Sequence, residues 1–373
     1  TGQAGLTQEM GNDLAPLFQA MLDHIPPPQV DPEAPLQILV ANLGYDDYRG
    51  NTAIGRIFAG SVAANQPIVR MCVDGQILPE RARYLYIFEG LARKEVESAQ
   101  AGEIVAIAGL EGISIGETLA DINDPIALPP IHVEAPTVQM TFGVNTSPFT
   151  GQEGKWGTSR KLRERLMDEL RTNVALRVAE TESTDTFIVS GRGELHLAIL
   201  IETMRREGYE FQVSRPEVIM QHDEDGNLLE PFEEVHIDVP ADTVGTVVEM
   251  LGARRGTMLD MSNNLDTTVH LTYLAPVRGM LGFRHNFLTA TRGTGVINTI
   301  FHGYKPFAGV ITGRNTRSLI VWENGTSTTY GLKNAEERGV LFIGAGVEVY
   351  EGMVVGETQR EGDVTINVCK KKH

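Results

Sequence analysis

SGRGELHLAILIETMRREGYEFQVSRP, residues 190–216, is the stretch on which the fold reading turns. It reads as strand, tight turn, helix, strand. Gly191 and Gly193 bracket Arg192 in the turn, where the backbone is expected to use angles closed to most side chains. Glu194 opens the helix and puts its charge at the positive end of the helix dipole. Leu197, Ile201 and Met204 recur at helical spacing and define an inward face. Glu202, Arg205 and Arg206 fall on the wet side. Gly208 ends the helix, and YEFQV alternates as a strand does. The whole is the second half of a βαββαβ sandwich. Its G-x-G is no dinucleotide fingerprint, because the third glycine is missing.

Upstream lies the first half. TVQMTFGV is a strand, and TSRKLRERLMDELRTN is a helix with Leu162, Leu166 and Leu170 four apart. ALRVAET and TFIVS are strands. Between the first strand and the helix runs NTSPFTGQEGKWG, a polar, glycine-rich loop. Arg160, Lys161, Arg163 and Arg165 open the helix just after it, and four cations there oppose the dipole. An anionic partner explains them, and so does a solvated face balanced by Glu164, Asp168 and Glu169; the two readings stand level.

Downstream, residues 231–305 repeat the order. PFEEVHIDVP is a strand, TVGTVVEMLGARRG a helix, GTMLDMS and TTVHLTYLAP strands, VRGMLGFRHNFLTATRG a helix and TGVINTIFHGY a strand. Two successive βαββαβ units repeat an architecture without repeating a sequence. Arg254 and Arg255 close the first of these helices, where cations suit the dipole. Residues 36–129 are short alternating runs between Gly, Pro and Asp turns, spaced as in a small closed barrel. Residues 13–25 form an amphipathic helix with Leu14, Phe18, Met21 and Leu22 as its stripe, followed by a stiff proline-rich linker. It reads as the last helix of a preceding domain. Residues 306–373 are glycine-rich and β-like. The expected class is therefore multi-domain, β and α+β.

The formal net charge of −17 argues against indiscriminate nucleic-acid binding. Its distribution is uneven. Residues 217–242 hold nine acids and no Lys or Arg. Residues 267–322 hold no acid at all, but carry Arg278, Arg284, Arg292, Lys305, Arg314 and Arg317, with His270, His285 and His302 among them. An acid-free basic stretch in an acidic chain reads as a polyanion-facing patch.

No catalytic constellation accompanies it. GQEGKWG at 151–157 has the wrong spacing for a P-loop and places Trp156 after the lysine. His196 has no nucleophile motif beside it, and reads as a helix-surface histidine. Cys72 and Cys369 are too few for a disulfide framework or a thiolate metal site. No apolar run is long enough to span a bilayer and no signal-peptide pattern opens the chain. The expectation is a cytoplasmic chain with no membrane contact and no cofactor or metal of its own.

The glycine-flanked GELHL resembles the third domain of translational GTPases. RREGYEFQVSRPEVI, YDDYRGNTAIGRIFAGSV, EPFEEVHIDVP with GARRG, GMLGFRHNFLTATRGTGVINTIFHGYKP and RGVLFIGAGVEVYEGMVVGE resemble the TypA/BipA family of ribosome-associated GTPases. Elongation factor G carries an extra domain between its sandwiches, where this chain has only the acidic segment around 217–230. The resemblance implies a GTPase domain, with GTP and Mg, of which residues 1–28 are the last helix and the linker that follows. It implies a β-barrel domain II at 29–132, domain III at 133–218, domain V at 219–305 and part of a family-specific C-terminal domain at 306–373. It further implies a monomer that binds the ribosome at the factor site, touching rRNA, ribosomal proteins and A-site tRNA. The family is linked to large-subunit assembly and stress responses. Arg278, Arg284, His285, Arg292, Lys305, Arg314 and Arg317, with Arg254 and Arg255 beside them, are then the expected RNA contacts; Arg160, Lys161, Arg163 and Arg165 are a possible second anion contact. The competing reading is a self-contained scaffold whose basic patch meets a protein or another anion.

Overall fold

The computed structural model describes residues 5, 13–26, 29–90, 92–131, 133–263, 268–311, 318–358 and 362–371. The chain divides into two compact units, one of residues 1–135 with 163–178 and one of residues 136–162 with 179–373.

The first unit begins with helix α1 (Ala15–His24), which buries none of its residues. An eight-stranded sheet follows, ordered Ile77–Ala82, Gln66–Met71, Thr118–Ala120, Gln37–Asp46, Gly50–Ala59, Ile104–Ala108, Tyr84–Glu89 and Ala92–Glu95. Ile38, Val40, Ile57, Ile68, Leu85, Val105, Ile107 and Leu119 fill its core. The barrel expected from the spacing is not closed: among the described residues no ladder joins the two end strands. The reason is visible in the last strand, Ala92–Glu95, whose residues are exposed and mostly charged, a composition that discourages further pairing.

In the second unit, strand Val138–Gly143 runs antiparallel to Thr186–Gly191, in register from Val138 opposite Gly191 to Gly143 opposite Thr186. Gln212–Val213 and Glu217–Val218 pair its other edge. Helix α3 (Glu194–Arg206) belongs to this βαββαβ run, and helix α2 (Ser159–Glu169) starts in it, its residues from 163 onward falling in the first unit. The buried stripe of α3 is Leu197, Leu200 and Met204, with Ile201 only half-buried. Leu200 and Met204 are four apart, so the stripe turns slightly from the expected one.

The second βαββαβ run forms an antiparallel sheet ordered Thr257–Asn263, Thr268–Pro276, Leu228–Pro240 and Val296–Pro306. Helices α4 (Val244–Ala253), α5 (Val277–Met280) and α6 (Phe283–Ala290) complete it. Where one helix was expected over 277–293, Gly282 takes φ 66° and breaks it into α5 and α6. Val235, Ile237 and Val239 pack under Val247 and Leu251 of α4 and the stacked rings of Phe283 and Phe287 of α6. Period-two alternation sends Glu234, His236 and Asp238 to the opposite, uncovered face, where all are half-buried.

The last segment holds a four-stranded sheet, ordered Gly339–Leu341, Val354–Thr358, Ser318–Val321 and Val364–Ile366. It also holds helix α7 (Thr329–Glu336), which the β-like composition hid. Thr328 caps α7, its Oγ1 accepting the Gly331 amide at 3.0 Å.

Candidate nucleic-acid interface

Two of the expected RNA contacts are spent inside the protein. Arg278 donates from Nε and Nη2 to the carboxylate of Glu230 at 3.0 and 3.1 Å, and from Nη2 to Gly309 O at 2.8 Å. Phe307 stacks on its guanidinium at 4.7 Å. Glu230 is 0% exposed and also accepts the Ala308 amide at 2.7 Å. A carboxylate that deep requires a hydrogen-bonded counter-charge. Arg278 supplies it, and so ties the Leu228–Pro240 strand to the segment after the last strand. Arg254 is spent similarly. Its Nη1 donates to Gly279 O at 2.6 Å and Leu281 O at 3.1 Å, and it lies over Phe283 at 5.3 Å. Burial pushes its pKa down from the ordinary arginine value, against the opposing pull of the Glu194 charge.

The remaining cations point outward. Arg284 and His285 are exposed on the first turn of α6, and Arg292 is exposed just past its end. Six helical steps from Arg284 to Ala290 rise about 9 Å, and Arg292 follows in the closing turn. Arg255 is exposed after α4 and touches Val310 O only at 3.3 Å. Lys305 is half-buried and stands opposite Glu230 on the neighbouring strand. Among the described residues, the side chains of Arg284, Arg292 and Lys305 make no ion pair or hydrogen bond within the protein. Arg314 and Arg317 lie outside the described residues. On α2, Arg165 pairs with Glu169 at 2.8 Å and Lys161 sits over Trp156 at 5.5 Å, while Arg160 and Arg163 are exposed.

Arg255 and Arg292 share an unusual backbone. Three non-glycine residues have positive φ among the described residues, and these are two of them, at 64° and 52°. Each sits one place beyond a helix cap. Arg255 N–H reaches Gly252 O at 3.1 Å and Gly256 N–H reaches Leu251 O at 2.9 Å; Arg292 N–H reaches Thr289 O at 3.2 Å and Gly293 N–H reaches Leu288 O at 2.8 Å. Both are Schellman closures, whose left-handed position normally takes glycine. The equivalent place after α3 does hold one, Gly208, at φ 89°.

The sequence could not show what GELHL does. Glu194 lies in the first turn of its own helix, as expected, and its Oε2 also accepts the Gly282 amide at 3.0 Å, at the start of α6, 88 residues away. Gly191 and Gly193 do not need left-handed angles: Gly193 has φ −179° and Gly191 is absent from the positive-φ residues. Gly191 is needed for space, since a Cβ there would lie 2.9 Å from His196 Nδ1 and 3.1 Å from Leu197. Arg192, Glu194, His196, Arg284 and Asn298 line a shared cleft of about 400 Å³. The cleft brings the turn and the basic helix together.

The loop that failed as a P-loop does cradle an anion, but the protein's own. The amides of Gly151, Glu153 and Gly154 donate to the Glu210 carboxylate at 2.8, 3.2 and 3.1 Å, and Asn145 Nδ2 at 2.8 Å. These donors, the Gly151 amide first, hold the Glu210 pKa down at about 2. A side chain at Gly154 would collide with Glu210.

Comparison with known proteins fits this architecture. Residues 35–122 match a family model described as elongation factor G domain 2, residues 154–215 one described as elongation factor G, domain III, and residues 227–314 one described as elongation factor G C-terminus. A solved structure from Thermus thermophilus matches with a TM-score of 0.50 and 18% identity, over 78% of this chain and 59% of that one, and speaks to the fold alone. The protein is thus of the elongation-factor-like, multi-domain class. Residues 316–373 match the TypA/BipA C-terminal domain. The chain is 50% identical over its full length to the large ribosomal subunit assembly factor BipA of Synechocystis, covering 63% of it, and 47% identical over 98% of its length to that of Bacillus subtilis, covering 60%. It is also 48% identical to the putative elongation factor TypA-like SVR3, chloroplastic, of Arabidopsis thaliana, covering 55%. The chain belongs to the TypA/BipA family, and spans less than two thirds of the length of these relatives.

Proposed function

We propose that this chain is the ribosome-facing portion of a TypA/BipA translational GTPase, and that it docks on ribosomal RNA through the helical side of its second sandwich. Arg284 and Arg292, with Arg255 and Lys305, make the contact; Arg278 and Arg254 hold that side in shape. The observation that carries this reading is the pair of exposed guanidinium groups of Arg284 and Arg292, without internal partners among the described residues, in a stretch free of acids on a molecule of net charge −17. Phosphate binding by such groups releases counterions, and arginine also stacks on unpaired bases. Negative charge elsewhere discourages other orientations.

The whole protein on this reading assists large-subunit assembly, as its relatives' names state for them. It binds GTP and Mg and hydrolyses GTP in a domain preceding this chain. It works in the cytoplasm as a monomer, at the factor-binding site beside ribosomal proteins and A-site tRNA, and links assembly to stress. The domain division proposed is a β domain at 29–132, first sandwich 133–218, second sandwich 219–305 and C-terminal domain 306–373, which the spans of the four matching models support. Among the described residues no helix is long and apolar enough to cross a membrane.

Co-sedimentation with purified large subunits, titrated with salt, tests the docking. The double variant Arg284→Glu with Arg292→Glu should pellet poorly at moderate salt. Unchanged pelleting would remove the second sandwich from the interface.

A further inference from the structure

The second sandwich is two-sided in charge, and its uncovered sheet face is the opposite of its helical side. Four strands lay out three rows on that face. Ser262, His270, Asp238 and Val296 form one, Asp260, Thr272, His236 and Asn298 the next, and Leu274, Glu234 and Ile300 the third. The face carries three carboxylates, and no Lys or Arg occupies these rows. Histidines hold two of the carboxylates in place. His270 Nδ1 lies 2.9 Å from Asp238, His236 Nε2 lies 3.1 Å from Glu234, and the two imidazole rings stack at 5.8 Å. His302 stands 3.9 Å from Glu234 on its other side. At one edge Val296 and Ile300 are more than half exposed.

We propose that this sheet face docks a lysine- and arginine-rich segment of a protein partner. Carboxylates held beside stacked imidazoles are ready to accept from cationic side chains without first being ordered, which removes part of the cost of binding. Imidazole faces suit a guanidinium plane. The exposed Val296 and Ile300 offer apolar surface to the methylene stems that such side chains bury. Nucleic acid is disfavoured here by the same charges, and is drawn to the helices behind. The inference stands apart from the RNA reading, since it concerns the other side of the sheet.

The test uses a fluorescent twelve-residue peptide of mixed lysine and arginine, titrated into this chain and followed by anisotropy. The variant Glu234→Gln, Asp238→Asn, Asp260→Asn removes three exposed ion pairs to the peptide and should lose about tenfold in affinity. A control of equal charge, Glu348→Gln, Glu351→Gln, Glu357→Gln on the C-terminal segment, should lose less than about twofold. Equal losses in both would mean that net charge alone attracts the peptide and would overturn the proposal. Photo-crosslinking on the unmodified chain covers the case in which the first variant misfolds. Adducts on 257–263 and 268–276 support the site, and their absence there overturns it. Crosslinks from a single-stranded RNA probe to this face would overturn it as well.

Discussion

At Arg292 the backbone holds φ 52°, a region that costs a non-glycine residue about 1 kcal/mol, and its side chain makes no hydrogen bond or ion pair in return among the described residues. A residue kept against its conformational preference, with its charge in solvent, has its use outside the fold. Arg292→Gly should raise unfolding free energy by about 0.5 kcal/mol and weaken large-subunit binding at the same time. Denaturant unfolding and co-sedimentation on the same preparation check the two halves. A loss of stability on substitution would mean that the arginine serves the helix end after all. The sequence displayed ARRG and TRG plainly, but not that the second arginine of the first and the only one of the second sit in the left-handed place. That depends on where α4 and α6 stop, and the last turn of a helix is the part that periodicity defines least.

At the scale of elements, alternation and helical spacing were enough to read both βαββαβ runs, because each strand and helix buries one face and the pattern repeats that face along the chain. What they could not read was local closure: Gly282 splitting a helix, Thr328 starting one in a glycine-rich stretch, and the open ends of the first sheet. They also missed partners far apart in sequence, such as Glu194 with Gly282 and Arg278 with Glu230, since nothing in either residue's neighbourhood names the other. The loop 145–157 is the clearest case. It was legible as polar and glycine-rich, yet the anion that its amides surround comes from Glu210, just before the short strand Gln212–Val213 of the first sandwich. Because the Glu210 pKa is depressed in the folded state to about 2, its stabilising effect is fully present above the ordinary carboxylate range near pH 4.5. It is lost as pH falls from there through about 2. Unfolding followed between pH 6 and pH 2 should therefore show a steeper acid loss in the unmodified chain than in Glu210→Gln. At pH 6 the variant should already be weaker, by about 0.5–1.5 kcal/mol, since water can reach the amides that lose their carboxylate. Parallel curves for the two proteins would show that the amides do not favour the ionised form.

For the whole molecule, the decisive point is that the charged residues of the acid-free stretch divide by job, which their sequence alone conceals. Arg278 faces a fully buried carboxylate, whereas Arg284 and Arg292 face solvent. The two kinds of arginine should then fail in different experiments. Arg278→Met strands Glu230 without its counter-charge, and should lower unfolding free energy by about 3 kcal/mol. At temperatures where the variant stays folded, the slope of log affinity against log salt for large-subunit binding should be unchanged, because every phosphate still meets its cation. Neutralising Arg284 and Arg292 to Gln should do the reverse. Stability should move by less than about 0.5 kcal/mol, while the salt slope should become shallower by about 2, one unit for each phosphate left without its arginine. If Arg278→Met flattened the slope as much as the surface pair does, the separation into scaffold and contact would be wrong, and the buried ion pair would have to open on the ribosome. If neither variant changed the slope, the positive side of the second sandwich would not be where this molecule meets RNA, and the exposed cations of α2 would become the place to look.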